Sequence, residues 1–386
     1  MNCELQELRT VKITVQTYTE MVGQHLHLHI LAFIPLDFHS GMISASYRII
    51  QEMDEPGSQV GLFSPNHGYT ALLQLIASSV LFGISFVYQR YAMIRGIGPI
   101  TFNACRFPIS TVLTIIAQIL LHQRKSPSFL STIARTYTSR TWKWGIFCGI
   151  FVFGGSVLQQ VGLYYVEAAK MSFITGTFVI FVPMVEWCVP GFGSGLNSSI
   201  WISAAVSIIG MLLLSGFLGT DKSFPNEESV IGGEVIVFVS MLLWVVVLMA
   251  TDVAAKVVDC ISLAVVEDLV CSLLTLFAAF SLEPQMMSYP YESIIRSWDL
   301  ILIVAVVEGS AVVLGILGQV YVSPSVTALI SSSASVYTAI GGYLFLGEIL
   351  RPLEMLGCVL ILAATVYAAR QVRVEEMKAP YVSIPT

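Results

Sequence analysis

A stripe of polar side chains follows one face of an otherwise apolar segment. Asn103, Arg106, Ser110 and Thr114 are spaced three, four and four residues apart, which places them on the same side of a helix. A charge at mid-bilayer costs on the order of 2.5 to 3.5 kcal/mol, so Arg106 should face neighbouring helices and have a partner. The stripe predicts one wall of a polar cavity. The alternative is an Arg in the first turns of the helix that extends to the membrane surface.

Two adjacent acids, Glu267 and Asp268, lie in another apolar segment. An alignment of the two halves of the chain, given below, sets Glu267 opposite Arg106, and we expect these two residues to pair. The alternative places the acidic couple at the membrane interface, where the start of a helix favours negative charge.

Glu308 is the most deeply placed acid of the sequence. Gly315 and Gln319 follow it on the same helical face, so a groove of small and polar residues should run beside it. A lone carboxylate at this depth suits proton uptake and release, which makes Glu308 the candidate for proton coupling. The alternative is a neutral Glu that is hydrogen-bonded for structural reasons.

Other polar residues inside apolar segments complete the candidate site. The predicted solute-binding residues are Asn103, Arg106, Ser110, Gln160, Thr175, Glu267, Gln319 and Ser331. Several of these residues have a packing alternative, because Gly145-x-x-x-Gly149 is a common helix-packing motif and serines can bond to their own backbone. Pro183 is expected to interrupt its helix locally.

The composition indicates whether these segments fold in water or in a lipid membrane. Charged residues make up only 11% of the 386 residues, where soluble chains have about 25%, and the mean hydropathy is +0.79. The net charge of −6 provides no basic surface for nucleic acid. The sequence therefore predicts an all-α polytopic membrane protein whose partners are the lipid bilayer and a small-molecule solute. No metal or cofactor site is expected, because the seven cysteines are scattered.

Charge-free stretches long enough to cross about 30 Å of hydrocarbon predict ten transmembrane helices. They fall near 70–92, 99–121, 144–165, 170–189, 200–218, 232–254, 261–281, 299–321, 325–346 and 352–369. With the N-terminus in the cytoplasm, the cytoplasmic segments hold twelve Lys and Arg residues and the opposite segments hold six. Both termini are therefore predicted to be cytoplasmic. This orientation places the sequon Asn197-Ser198-Ser199 on the cytoplasmic side, where it would carry no glycan.

The chain divides into four predicted regions. Residues 1–68 form a polar cytoplasmic extension, 69–220 and 229–370 each hold five helices, and 371–386 form a cytoplasmic tail. Within the extension, the alternating histidines between His25 and His29 could bind a metal, but no Cys or carboxylate ligand follows nearby. We therefore interpret this extension as an accessory tail.

The two five-helix regions align with each other. Residues 99–113 can be set against 260–274, and Gly162–Val166 against Gly318–Val322. An odd number of helices in each copy inverts the second copy relative to the first. The expected fold is thus ten transmembrane helices arranged as two inverted five-helix repeats.

Particular motifs also resemble those of a known family. Phe82-Gly83-Ile84-Ser85-Phe86, Cys105-Arg106-Phe107, the stretch from Gln159 to Pro183, Leu344 to Glu348 and Leu356 to Ala364 are similar to the EamA-type transporters of the drug/metabolite transporter superfamily. The chain departs from the family where many members have Glu-Pro in the ninth span, because Ala334-Ser335 stand there.

The resemblance implies a central polar cavity and alternating access for a small organic metabolite. Because the spans hold more acids than bases, a zwitterion or cation such as an amino acid or amine is favoured over a phosphorylated anion. The alternatives are a sugar-phosphate or nucleotide-sugar carrier of an organelle, and a membrane scaffold or receptor without transport. An enzyme is not expected, because the histidines lie at or before His122 and exclude a buried Ser–His pair. A homodimer is a further expectation, with Gly210 and Gly357 on the contact surface.

Overall fold

The part of the chain that the structure describes is mostly helical. The computed structural model describes residues 65–123, 129–188, 198–215, 227–255, 257–288, 291–347 and 351–378. The helices in these ranges are α1 (Pro65–Ile94), α2 (Pro99–Gln123), α3 (Phe129–Thr136), α4 (Ser139–Tyr165), α5 (Ala168–Gly176), α6 (Phe178–Cys188), α7 (Ser198–Leu214), α8 (Glu227–Ala255), α9 (Cys260–Leu282), α10 (Glu292–Gln319), α11 (Pro324–Ser332), α12 (Ala334–Gly341) and α13 (Pro352–Lys378). A π-helical turn, Gly342–Leu346, continues α12.

The prediction of an all-α polytopic membrane protein is confirmed. Within the described ranges, nine segments are helical, long and apolar enough to cross a membrane, and the shorter apolar helix α7 supplies the tenth span. Eight of the ten predicted spans are single, unbroken helices. The short α3, which precedes the third span, is a helix that the hydropathy pattern did not predict.

The fourth and ninth spans are each broken into two helices. The N–H of Thr177 bonds to the carbonyl of Ile174 at 3.2 Å, and the N–H of Ser333 bonds to the carbonyl of Ile330 at 3.1 Å. These bonds span three residues instead of four, which tightens the chain locally and ends α5 and α11. The prediction that Pro183 interrupts its helix is wrong, since Pro183 lies inside α6 and the break comes at Thr177. The missing proline N–H is accommodated within α6, where Pro183 is buried.

These breaks relate the two five-helix repeats to each other. Helices α5 and α11 both have nine residues. Thr177 and Ser333, which follow them, are separated by the same 156 positions as Gly162 and Gly318 in the sequence alignment. The two halves are therefore inverted copies, and the second copy places its broken helix opposite that of the first.

The core forms between the repeats and not inside each of them. The most extensive contacts join helices of different halves, with α1 against α10, α4 against α8, α7 against α13 and α2 against α9. Polar bonds connect α2 to α9 along much of their length. Thr111 contacts Ser272 at 2.8 Å, and the Gln118 amide donates to Ser262 at 2.7 Å. Such bonds hold two helices together in lipid, where apolar burial between helices contributes little.

Two glycines allow α7 and α13 to approach closely. A Cβ added at Gly210 would lie 2.8 Å from the carbonyl oxygen of Gly357, so neither backbone leaves room for a side chain. The predicted homodimer surface contains both Gly210 and Gly357. The structure uses both inside the chain instead, and the homodimer prediction loses this support.

Several predictions concern residues outside the described ranges. These are the cytoplasmic extension up to residue 64 with its His25–His29 run, the sequon residue Asn197 and the C-terminal residues 379–386.

Candidate functional site

A cavity of about 190 Å³ lies at the centre of the bundle, between the two repeats. Ten of the helices contribute side chains to it, namely α1, α2, α4, α5, α6, α8, α9, α10, α11 and α12. Helices α7 and α13 pack outside it. Both broken spans meet the cavity at their breaks, through Gly176 on one side and Ser332 on the other. A cavity of roughly 150 Å³ holds a benzene ring, so this cavity accommodates a small organic solute.

An ion pair between Arg106 and Glu308 stands at one wall of this cavity. Arg106 Nη1 contacts Glu308 Oε2, and the Arg106 residue is only 3% exposed. Ser85 Oγ and Gln89 Nε2 also donate to Glu308 Oε2, at 3.0 and 2.8 Å. The network therefore joins α1, α2 and α10, and it satisfies the carboxylate with three donors.

Arg106 is held on its other sides as well. Its Nε donates to Asn103 Oδ1 at 2.8 Å, and the amide of Asn103 donates to the carbonyl of Ser156 at 3.1 Å. The guanidinium carbon lies 4.4 Å from the ring centre of Phe107. These contacts fix the guanidinium against Glu308, and they use several of its donors before any solute arrives.

The predicted pair between Arg106 and Glu267 is wrong. Arg106 pairs with Glu308, since α2 packs against both α9 and α10 and the guanidinium points towards α10. Glu308 is therefore not a lone carboxylate, contrary to the prediction. Pseudo-symmetry sets Arg106 opposite Glu267 in the alignment, but equivalent positions in two inverted copies do not have to touch.

Glu267 and Asp268 instead line the cavity beside this ion pair. Both are 4% exposed, so they are buried among the helices of the bundle. Asp268 Oδ2 accepts from Thr114 at 2.9 Å. Glu267 Oε1 has no hydrogen-bond partner, although the Cys148 thiol lies beside the carboxylate. A buried carboxylate oxygen without a donor is energetically costly and is available to a ligand.

The structure brings together five of the nine residues named from the sequence. These cavity-lining residues are Thr175, Glu267, Glu308, Gln319 and Ser331. The other four, Asn103, Arg106, Ser110 and Gln160, are buried but are not among the lining residues. Arg106 pairs with Glu308 and Asn103 accepts a hydrogen bond from Arg106, while Ser110 packs against Gly309.

Sequence reasoning missed the contribution of the first span. Ser78, Ser85 and Gln89 are spaced seven and four residues apart on one face of α1, and Phe82 lies on the same face. Ser78 and Phe82 line the cavity, while Ser85 and Gln89 hold Glu308. The same spacing test that found the stripe on α2 would have found these residues.

The cavity combines carboxylates with aromatic rings. Its aromatic side chains are Phe82, Phe86, Phe107, Phe178 and Trp244. The described residues contain no group of three His, Cys, Asp or Glu side chains placed to hold a metal ion. The arrangement can bind a solute that has both a polar group and an apolar body, because carboxylates and rings face the same space.

The comparisons with known proteins agree with this architecture. The model of the EamA-like transporter family matches residues 69–216 and again residues 231–370. A solved structure titled only "Crystal structure of protein" is similar in fold, with a TM-score of 0.57 and 17% sequence identity over 80% of this chain and 97% of that chain. No curated protein matches the sequence.

The family model covers most of the described helices, and each of its two matches corresponds to one of the inverted repeats whose contacts enclose the cavity. This chain belongs to the EamA-like transporter family, and it is an integral, multi-pass membrane protein.

Proposed function

We propose that the protein is a secondary-active transporter that moves a small polar metabolite by alternating access. The observation that supports this proposal most directly is the cavity, which lies between two inverted repeats and contacts the break of one helix in each. A broken helix at a central site is typical of transporters in which two repeats move against each other around the solute. A scaffold or receptor without transport would need neither feature.

The charges at the cavity favour a zwitterion or a cation, such as an amino acid or an amine. Three carboxylates line the cavity, from Glu267, Asp268 and Glu308. A phosphate group would add negative charge beside them and would lack the Arg or Lys clamp that usually binds it. This distribution argues against a sugar-phosphate or nucleotide-sugar carrier.

Untargeted profiling of solutes tests the transport proposal. Cells or sealed vesicles would carry wild-type protein, the neutral double variant Arg106→Gln/Glu308→Gln, or no added protein. We expect one small polar solute to change in amount with the wild type alone. Glu292→Gln is a matched control, because this carboxylate is exposed and distant from the cavity, and it should behave as the wild type. Equal profiles with and without the wild type, at verified amounts of folded protein, would contradict transport.

Proton coupling through Glu308 is a further part of the proposal. Because Glu308 is paired with Arg106, its protonation would break the ion pair and free the guanidinium. This would couple a proton to a rearrangement of α1, α2 and α10. Uptake would be measured after a pH jump in the wild type and in Glu308→Gln, with Glu292→Gln as the control that should respond as the wild type does. We expect Glu308→Gln to lose the response to the proton gradient; an unchanged response would exclude Glu308 from coupling.

A further inference from the structure

The lining of the cavity is rich in carboxyl groups and poor in basic side chains. Its lining residues include three carboxylates and, over the part of the chain that the structure describes, no Lys, Arg or His side chain. Arg106 lies behind the wall and neutralises Glu308. Glu267 and Asp268 therefore have no basic partner among the described side chains of the lining.

Glu267 is the less satisfied of these two acids. Asp268 accepts a hydrogen bond from Thr114 at 2.9 Å, whereas Glu267 Oε1 has no hydrogen-bond partner. The Glu267 residue is 4% exposed and lines the cavity. In a low-dielectric site such an oxygen has a strong preference for a cationic donor.

The other unpartnered polar atoms of the lining are neutral. They are Trp244 Nε1, Ser156 Oγ and Thr327 Oγ1. Neutral donors of this kind can bind a hydroxyl or carbonyl group, but they supply no charge to balance a carboxylate on a solute. A solute carboxylate would also lie near the acidic side chains of Glu267 and Asp268, which opposes binding.

Aromatic rings cover the remaining lining. Phe82 and Phe86 contact each other with a centroid distance of 6.4 Å, and Phe107, Phe178 and Trp244 complete the set. Rings of this kind pack against an apolar solute body, and their faces also attract a positive charge. The lining is therefore matched to a molecule with an ammonium group at one end and an apolar body at the other.

We propose that the cavity selects a monocationic amine with an apolar body over the corresponding amino acid, and that the Glu267 carboxylate binds its ammonium group. This inference rests on the proposed transport function and narrows its substrate class from zwitterion or cation to cation. Glu267 is thereby the specificity-determining residue, with Asp268 as the neighbouring charge.

Three probe molecules with the same phenyl body test this selectivity. They are phenethylamine, which is a cation, phenylalanine, which is a zwitterion, and 3-phenylpropionate, which is an anion. Binding to the purified full-length protein in nanodiscs would be measured by titration calorimetry. We expect the dissociation constant of phenethylamine to be at least about tenfold lower than that of phenylalanine, and 3-phenylpropionate to bind most weakly.

Two carboxylate-to-amide variants assign the selectivity to one residue. Glu267→Gln should weaken phenethylamine binding by about tenfold or more, whereas Glu292→Gln, which changes an exposed carboxylate, should leave it unchanged. A melting curve for each variant would verify that the protein is folded.

Three outcomes would overturn the inference. These are phenylalanine binding as tightly as phenethylamine, full amine affinity in Glu267→Gln, and no binding of any of the three probes to folded protein. Each of these outcomes is compatible with transport of another solute in the flux assay, so failure of the selectivity is distinguishable from failure of the transport proposal.

Discussion

The buried ion pair between Arg106 and Glu308 is the residue-scale feature on which the cavity wall depends. Ion pairs in a low-dielectric interior gain little net stability, because desolvation offsets their attraction, but removal of one partner leaves a buried charge uncompensated. Arg106 also holds Asn103, and Glu308 also holds Ser85 and Gln89. Loss of either charge should therefore disturb three helices.

A double-mutant cycle tests which acid is the partner of Arg106. We expect Arg106→Gln and Glu308→Gln each to destabilise the protein by about 3 to 5 kcal/mol, and the double variant to recover part of this loss because no unpaired charge remains. Thermal melting of the purified protein in detergent would measure the effect.

The control is a second double-mutant cycle, in which Glu267→Gln replaces Glu308→Gln. Arg106→Gln combined with Glu267→Gln should show no comparable recovery, since Arg106 Nη1 contacts Glu308. Recovery in this combination and not in the first would restore the pairing predicted from the repeat alignment.

Replacement of Glu267 should not lower the melting temperature, in contrast to replacement of Glu308. Glu267→Gln removes a buried carboxyl group, one oxygen of which, Oε1, has no hydrogen-bond partner, so we expect an unchanged or higher melting temperature. Function and stability are thus expected to diverge at this residue, as is common where a site is preorganised for a ligand. A decrease in melting temperature as large as that of Glu308→Gln would show that Glu267 has a structural partner.

At the scale of elements, close helix approach sets the packing outside the cavity. Helices α7 and α13 line no part of the cavity, and the contact of Gly210 with Gly357 brings their backbones together. This pair stabilises the bundle without contributing to the site.

A single methyl group tests that contact. We expect Gly357→Ala to lower the stability by about 1 to 3 kcal/mol, because its Cβ would meet the carbonyl oxygen of Gly210 and lie 2.8 Å from the Leu214 nitrogen. Gly232→Ala is the matched control. A Cβ at Gly232 has nothing within 4 Å, so this change should be neutral or slightly stabilising. Equal melting temperatures for the two variants would contradict the tight approach.

At the scale of the whole molecule, the two repeats depend on each other. The most extensive contacts join helices from opposite halves, and the cavity lining comes from both. Neither half encloses the cavity alone, which is the arrangement that relative motion of two repeats around one site requires.

The distribution of Lys and Arg residues predicts the orientation of this molecule in the membrane. We expect an epitope tag at the C-terminus to be removed when protease is added to sealed microsomes, whose outer face is cytoplasmic, and a tag inserted after Met286 to be protected. We also expect Asn197 to carry no glycan, which a glycosidase mobility shift would check. Protection of the C-terminal tag, or a glycan at Asn197, would reverse the orientation.

The helical segments and their polar faces could be predicted from the amino-acid sequence alone. A long apolar segment in lipid must form a helix, because its backbone groups can bond only to each other there. The helical period then places Asn103, Arg106 and Ser110 on one face. The alignment of Gly162–Val166 with Gly318–Val322 likewise anticipated the offset between the two broken helices. These properties are local, or they repeat along the chain, so a single sequence contains them.

Which helix faces contact each other became clear only from the folded arrangement of the helices. Arg106 and Glu308 are 202 positions apart, and nothing in the spacing of either helix shows that α2 directs its guanidinium to α10 instead of α9. The breaks at Thr177 and Ser333 are likewise not marked by a proline at either residue, and both adjoin the cavity that forms only when the helices pack. Pairing across a bundle depends on the rotation and approach of whole helices, and these are set by all of the contacts together.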